Sequence, residues 1–146
     1  MSEKNYDPKM HTAEHILNQT MLRMFNCGRA FGSHIERKKS KCDYRFKTPP
    51  SDSEIAEVEK AVNKIISDNL QVYDELVNKN EALKFVDLSK LPENTPDIIR
   101  VVRVGDYDAC ACIGPHVSNT SEIGRFKITT YSFNDGVLRI RFKLEG

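Results

Sequence analysis

The sequence predicts an α+β fold in which helices pack on a largely antiparallel sheet. Three observations predict it. Two segments carry apolar residues at helical spacing, and several later runs are strand-like in composition. These runs are separated by turns and loops rather than by the helical crossovers of a parallel sheet. With 146 residues the chain is long enough to bury one core, and residues 1–146 are expected to form a single domain.

Asp7-Pro8 supplies an N-cap and a first helical residue. Met10, Ala13, Leu17, Met21 and Met24 then recur at helical spacing and predict a core stripe, and Asn26-Cys27-Gly28 ends the helix. RAFGSHIE and KCDYRFK read as strands joined by a basic RKKSK turn, the second stopped by Pro49-Pro50. Ser51 and Glu54 form a capping box that opens a second helix, with Ile55, Val58, Val62, Ile65 and Ile66 on one face. QVYDELV reads as a strand, NKNEALK as a short helical turn and LSKLPENTPD as a polar loop. IIRVVRVG and YDACACI are strand-like. RFKITTYSF and VLRIRFKL predict a hairpin across Asn134-Asp135-Gly136.

Composition narrows the classes. No apolar run approaches the roughly 20 residues of a membrane span, and MSEKNYDPKM lacks the apolar stretch of a secretory signal. The four cysteines are too sparse for a disulfide scaffold, so reduced or metal-bound thiols in the cytoplasm are expected. A formal net charge of +1 gives no global field for nucleic acid. Local basic patches remain at ERKKSK and on the last strand, where alternation separates Leu138, Ile140, Phe142 and Leu144 from Arg139, Arg141 and Lys143.

Two pairs carry the chemistry. His11 and His15 are four apart on the first helix and point the same way, about a third of a turn from the apolar stripe. Cys112 and His116 are four apart where a strand runs out into CIGPHVSN. Together they use three of the chain's four histidines in two spacings that suit a tetrahedral zinc. Each alone is weak: a helical His pair is often a surface or core accident, and CAC in a strand is often two small buried hydrophobes. Alternation places Cys110 on the face of Cys112, as a substitute ligand or a packed neighbour. His11-Thr12-Ala13-Glu14-His15 also satisfies the inverted zinc-peptidase pattern with Glu14 as general base, but that reading leaves the Cys-His pair unexplained.

HTAEHILNQTML, GSHI, AEVEKAVNKIISDNLQV, IIRVVRVGDYDACACIGPHVSNTSEIGRFKI and GVLRI, in this order, resemble the editing domain of alanyl-tRNA synthetase and its freestanding AlaX-type relatives. CIGPH also resembles the editing domain of threonyl-tRNA synthetase, of the same superfamily. The resemblance implies that fold, and Zn2+ held by His11, His15, Cys112 and His116. It implies a zinc-dependent trans-editing hydrolase that removes serine or glycine from mischarged tRNA(Ala). It implies no aminoacylation domain, no use of ATP, and none of the C-terminal tRNA-binding module of longer relatives. A non-catalytic, zinc-stabilised tRNA-binding module and editing of Ser-tRNA(Thr) are the alternatives. There are three departures: Pro115 stands where the alanyl pattern usually has Thr, Ala30 where it usually has Gln, and residues 83–98 follow other wording. The first two fall near the expected amino-acid pocket and bear on the substrate.

An aminoacyl ester is already activated, so its hydrolysis needs a positioned water and stabilised charge at the carbonyl. Four protein ligands would close the zinc shell, whereas catalytic zinc keeps a position open, so the metal either activates directly or fixes the pocket. Ser33 is a candidate partner for a substrate hydroxyl, and Gly114 for close backbone approach. Arg139, Arg141 and Lys143 are candidate tRNA phosphate contacts, with a solvated sheet face as the plain alternative.

Overall fold

The computed structural model describes residues 7–36, 38–82, 97–111 and 115–145. Most of the expected LSKLPENTPD loop, and the site candidates Cys112 and Gly114, lie outside the described residues. The architecture is α+β, with two antiparallel sheets where one was expected.

Helix α1 (Pro8–Phe25) starts as its caps dictate: the Asp7 carboxylate accepts from the backbone of Lys9 and Met10, with Pro8 in the first turn. It ends at Asn26, whose left-handed φ of 54° is a common helix stop. Met10, Ala13, Leu17 and Met21 are fully buried, as the stripe predicts. Met24 departs from it at 40% exposed. The last turn projects past the core, and Phe25 takes the inward position there, edge-on to Phe46. The helix also buries His11, Thr12, His15, Ile16 and Thr20, so it is enclosed on most of its circumference rather than along one stripe.

Strands β1 (Gly32–Ile35) and β2 (Ser40–Arg45) are shorter than the alternation suggested. Helix α2 (Asp52–Ser67) carries both halves of the capping box and buries Ile55, Val58, Val62 and Ile66. Strand β3 (Val72–Asn78) runs into a one-turn helix α3 (Lys79–Ala82). Strands β4 (Ile98–Val104), β5 (Asp108–Ala111), β6 (Arg125–Asn134) and β7 (Val137–Glu145) complete the set. The β6–β7 turn places Asp135 at φ 50° and Gly136 at φ 78°, the pair of positive angles that a tight hairpin needs.

The sheets are ordered β1-β2-β7-β6 and β3-β4-β5. Cys42, Tyr44, Phe126, Leu138, Ile140 and Phe142 line the inner face of the first and meet α1, α2 and Val102 and Val104 of the second in one core. Polar bridges fix the elements against one another. Asn63 of α2 accepts from the Phe126 amide and donates to its carbonyl, each at 2.8 Å. Buried Thr120, in a single 3-10 turn at Thr120–Ile123, accepts from the Leu70 amide and donates to carbonyls at the end of α2. Asn18 of α1 accepts from the Tyr44 hydroxyl and the Ala30 amide. Every such group, unpaired, would cost about 1–3 kcal/mol, so these pairs set the register between layers. None of the described helices is long and apolar enough to cross a membrane.

Candidate metal centre

The first two turns of α1 bring His11 and His15 to one side of the helix, and both are buried. His116 enters from the segment after β5. Its ring stacks on His11 at 4.6 Å between centroids and lies 4.8 Å from that of His15; the His11 and His15 centroids are 5.1 Å apart. One ligating nitrogen from each ring lies within 4.8 Å of the other two. Imidazoles from the opening helix and from the segment after β5 therefore converge, while Cys112, the fourth expected ligand, lies outside the described residues. Two nitrogens on a tetrahedral zinc stand roughly 3.4 Å apart, given metal–nitrogen bonds of about 2.0–2.1 Å. The three ligating atoms span up to 4.8 Å, so the rings must draw together to share one ion.

Neighbouring groups orient the rings. The Pro115 carbonyl lies 3.1 Å from His11 Nδ1. A carbonyl can only accept, so Nδ1 carries the proton and Nε2 is left as the acceptor. His15 Nδ1 lies 3.4 Å from Oδ2 of Asp108, and a carboxylate fixes the same tautomer. Carboxylate or carbonyl support behind an imidazole is the usual second layer of a metal site. Arg29 Nη2, 3.5 Å from His15 Nδ1, has the wrong polarity to compete with the carboxylate for that proton. Thr12 Oγ1 donates to Pro8 O and accepts from the Val117 amide, which clamps the His116 segment to α1. Pro115 thus contributes through its carbonyl, which every residue type has.

Asp108 has a fully buried side chain. It accepts from Arg29 Nη1 at 2.8 Å, from Arg29 Nη2 at 3.3 Å and from Gln19 Nε2 at 2.9 Å. Burial alone would raise its pKa, but the hydrogen bond from His15 and the Arg29 guanidinium outweigh that and hold it well below the usual carboxylate range. Burial likewise opposes the charge on Arg29, and Asp108 more than offsets it. No sequence motif marks Asp108, Arg29 or Gln19. Asp108 opens a strand, but nothing in its local pattern tells which distant side chains it meets.

The remaining candidates fall in different places. Cys110 Sγ lies outside the histidine cluster and contacts the Ala111 carbonyl. Glu14 Oε1 lies 3.7 Å from His11 Nε2. Ser33 is exposed on edge strand β1, in register with buried Cys42, and among the described residues no hydrogen bond joins it to the imidazoles. Arg139, Arg141 and Lys143 lie on the face of β7 opposite Leu138, Ile140 and Phe142, so they point away from the core that holds α1. Arg139 is held by Asp43 at 2.8 and 3.0 Å. Beside His116 a hollow of about 170 Å³ opens between β3 and β4, bordered by Tyr73, Asp74, Arg100 and Ser118. Arg100 and Asp74 pair across it at 2.6 Å.

Residues 99–141 match the family described as the threonyl and alanyl tRNA synthetase second additional domain. The chain is 35% identical over 143 residues to the alanine–tRNA ligase of Treponema denticola, covering 92% of this chain and 23% of that protein. It is 34% identical over 138 residues to the alanine–tRNA ligase of Aeropyrum pernix, with 90% and 15% covered. It is 34% identical over 125 residues to that of Bacillus pumilus, with 85% and 14% covered. The chain thus spans less than a quarter of the length of these relatives. The likeness is therefore to one segment of much longer proteins.

Proposed function

We propose that the chain is a zinc-dependent aminoacyl-tRNA deacylase, acting in trans on tRNA(Ala) wrongly charged with serine or glycine. The observation that carries this reading is the convergence of His11, His15 and His116 in one buried cluster, within a chain whose relatives are alanine–tRNA ligases. Three imidazoles, with the thiolate of Cys112 as the fourth donor that the family resemblance implies, make a nitrogen and sulfur set that suits zinc. Zinc held by these residues would supply Lewis acidity for ester hydrolysis.

The chain's own residues do the rest. Pro115 O and Asp108 fix the tautomers of His11 and His15, so that Nε2 of each is the acceptor nitrogen a metal requires. The Thr12 clamp keeps His116 in place and limits the reorganisation needed at the moment of reaction. Ser33 accepts or donates to the serine hydroxyl, which favours serine because a polar site penalises a substrate lacking its partner.

Incubating the protein with seryl-, glycyl- and alanyl-tRNA(Ala) and following ester loss tests the proposal. Loss of the first two with alanyl-tRNA spared is expected. Tight, salt-sensitive tRNA binding with no ester loss would make the chain a binding module instead.

A further inference from the structure

The outer face of the four-stranded sheet carries a charge that the chain as a whole does not. Formal net charge is +1, yet the solvent side of β2, β7 and β6 carries Lys41, Lys127, Arg139, Arg141 and Lys143. Arg45 and Arg125 extend it at the strand ends, and only Asp43 and Glu145 oppose them. Antiparallel register puts directly opposed side chains next to one another on one face. Lys41 stands opposite Arg141 and Lys127 opposite Lys143, and like charges so placed destabilise a sheet. Asp43 holds Arg139, and Glu145 lies 3.7 Å from Lys143. Among the described residues Lys41, Lys127 and Arg141 make no ion pair. The fold therefore keeps repulsions that an external polyanion would relieve.

We infer that this face binds the phosphate backbone of an RNA duplex, the acceptor arm of tRNA, apart from the histidine cluster on the other side of the sheet. The choice of RNA among polyanions rests on the deacylase reading. Backbone binding follows from what accompanies the cations. Between them stand Thr130, Ser132 and Asn134, and among the described residues the aromatic rings bordering the face sit only at its β1 edge, where His34 stands opposite Lys41 and Phe31 lies under Arg45. Readers of single strands stack bases on aromatics, whereas contacts to phosphates need only charge and hydroxyls. Of the apolar anchors with which a protein enters a lipid surface, the described residues offer this face only Phe31 at its edge, and Arg45 covers that ring.

The test uses uncharged tRNA, so its result does not depend on whether any ester is cleaved. Affinity is measured against salt concentration for the wild type, for Lys41→Glu with Lys127→Glu, and for Lys60→Glu on the exposed side of α2. The double variant is expected to bind more weakly, with a salt slope smaller in magnitude by about 1–2, one increment for each lost phosphate contact. Its melting midpoint is expected to be unchanged or higher, because two like-charge pairs become opposite-charge pairs. An unchanged slope, an equal loss with Lys60→Glu, a lowered midpoint, or tighter binding to vesicles of anionic phospholipid than to tRNA would each overturn the inference. Binding that behaves as expected without deacylation of seryl-tRNA would sink the deacylase reading and leave the RNA-binding face standing.

Discussion

Nδ1 of His15 lies 3.4 Å from Oδ2 of Asp108, and the same carboxylate is held on its other side by Arg29 and Gln19. A helix residue of the histidine cluster is thereby tied to β5, the strand that leads toward Cys112 and His116. The contact does two things. It fixes which imidazole nitrogen is the acceptor, and it brings the two halves of the cluster to one depth in the fold.

Replacing Asp108 with Asn should therefore act on both metal and fold. Loss of a supporting carboxylate typically weakens metal affinity about 10–100-fold. It also leaves the Arg29 charge poorly compensated, and breaking such a buried pair costs on the order of 3–5 kcal/mol. Competition with a chelator and the denaturant midpoint measure the two losses. Normal zinc affinity in a folded variant would remove Asp108 from any role in orienting the metal site.

His11→Ala and Cys112→Ala should each lose bound metal and ester hydrolysis together, by more than the losses from a supporting residue. Elemental analysis of the purified variants, beside a seryl-tRNA assay, reports both. A metal-free variant with full hydrolytic rate would confine zinc to a structural part.

Ser33→Ala should slow hydrolysis of the seryl ester more than that of the glycyl ester, because only serine offers a hydroxyl to bind. A hydrogen bond between neutral groups contributes about 0.5–1.5 kcal/mol, so kcat/KM for the seryl ester should fall a few-fold up to about tenfold. Equal losses on both esters would take Ser33 out of substrate recognition.

Asp43 gives a dependence on pH that is independent of the metal. The hydrogen bond from Arg139 is the main cause that lowers its pKa. A group whose folded pKa is depressed stabilises the fold fully above its unfolded value, about 3.9. That contribution is lost as pH falls through the folded value. Asp43→Asn should thus be less stable than wild type at pH 7, and the two should converge in acid. Denaturation curves from pH 7 to pH 2.5 check this, and a gap that stayed constant throughout would refute it.

Much of the fold was legible in the sequence because its signals are local. The Asp7-Pro8 cap, the Ser51–Glu54 capping box and the Asp135-Gly136 turn each depend on a few adjacent residues. Where neighbours beyond the element decide, the pattern gave less. Alternation overran the ends of β1 and β2, since pairing with another strand, not composition, fixes where a strand stops. Met24 continued the apolar stripe and is nonetheless exposed, because the helix outruns the core there.

For the site, sequence alone determined that His11 and His15 share a helix face, since the helical repeat fixes that geometry from spacing. It also determined that β7 would split into an apolar and a basic face, because a strand alternates with period two. Tertiary structure alone decided that His116 meets the first pair, that Asp108 stands behind His15 with Arg29 behind it, and that Lys41 and Lys127 face Arg141 and Lys143. Those are relations between strangers in the chain. They depend on how layers pack and which strands become neighbours, and no periodicity within one segment encodes its distance from another.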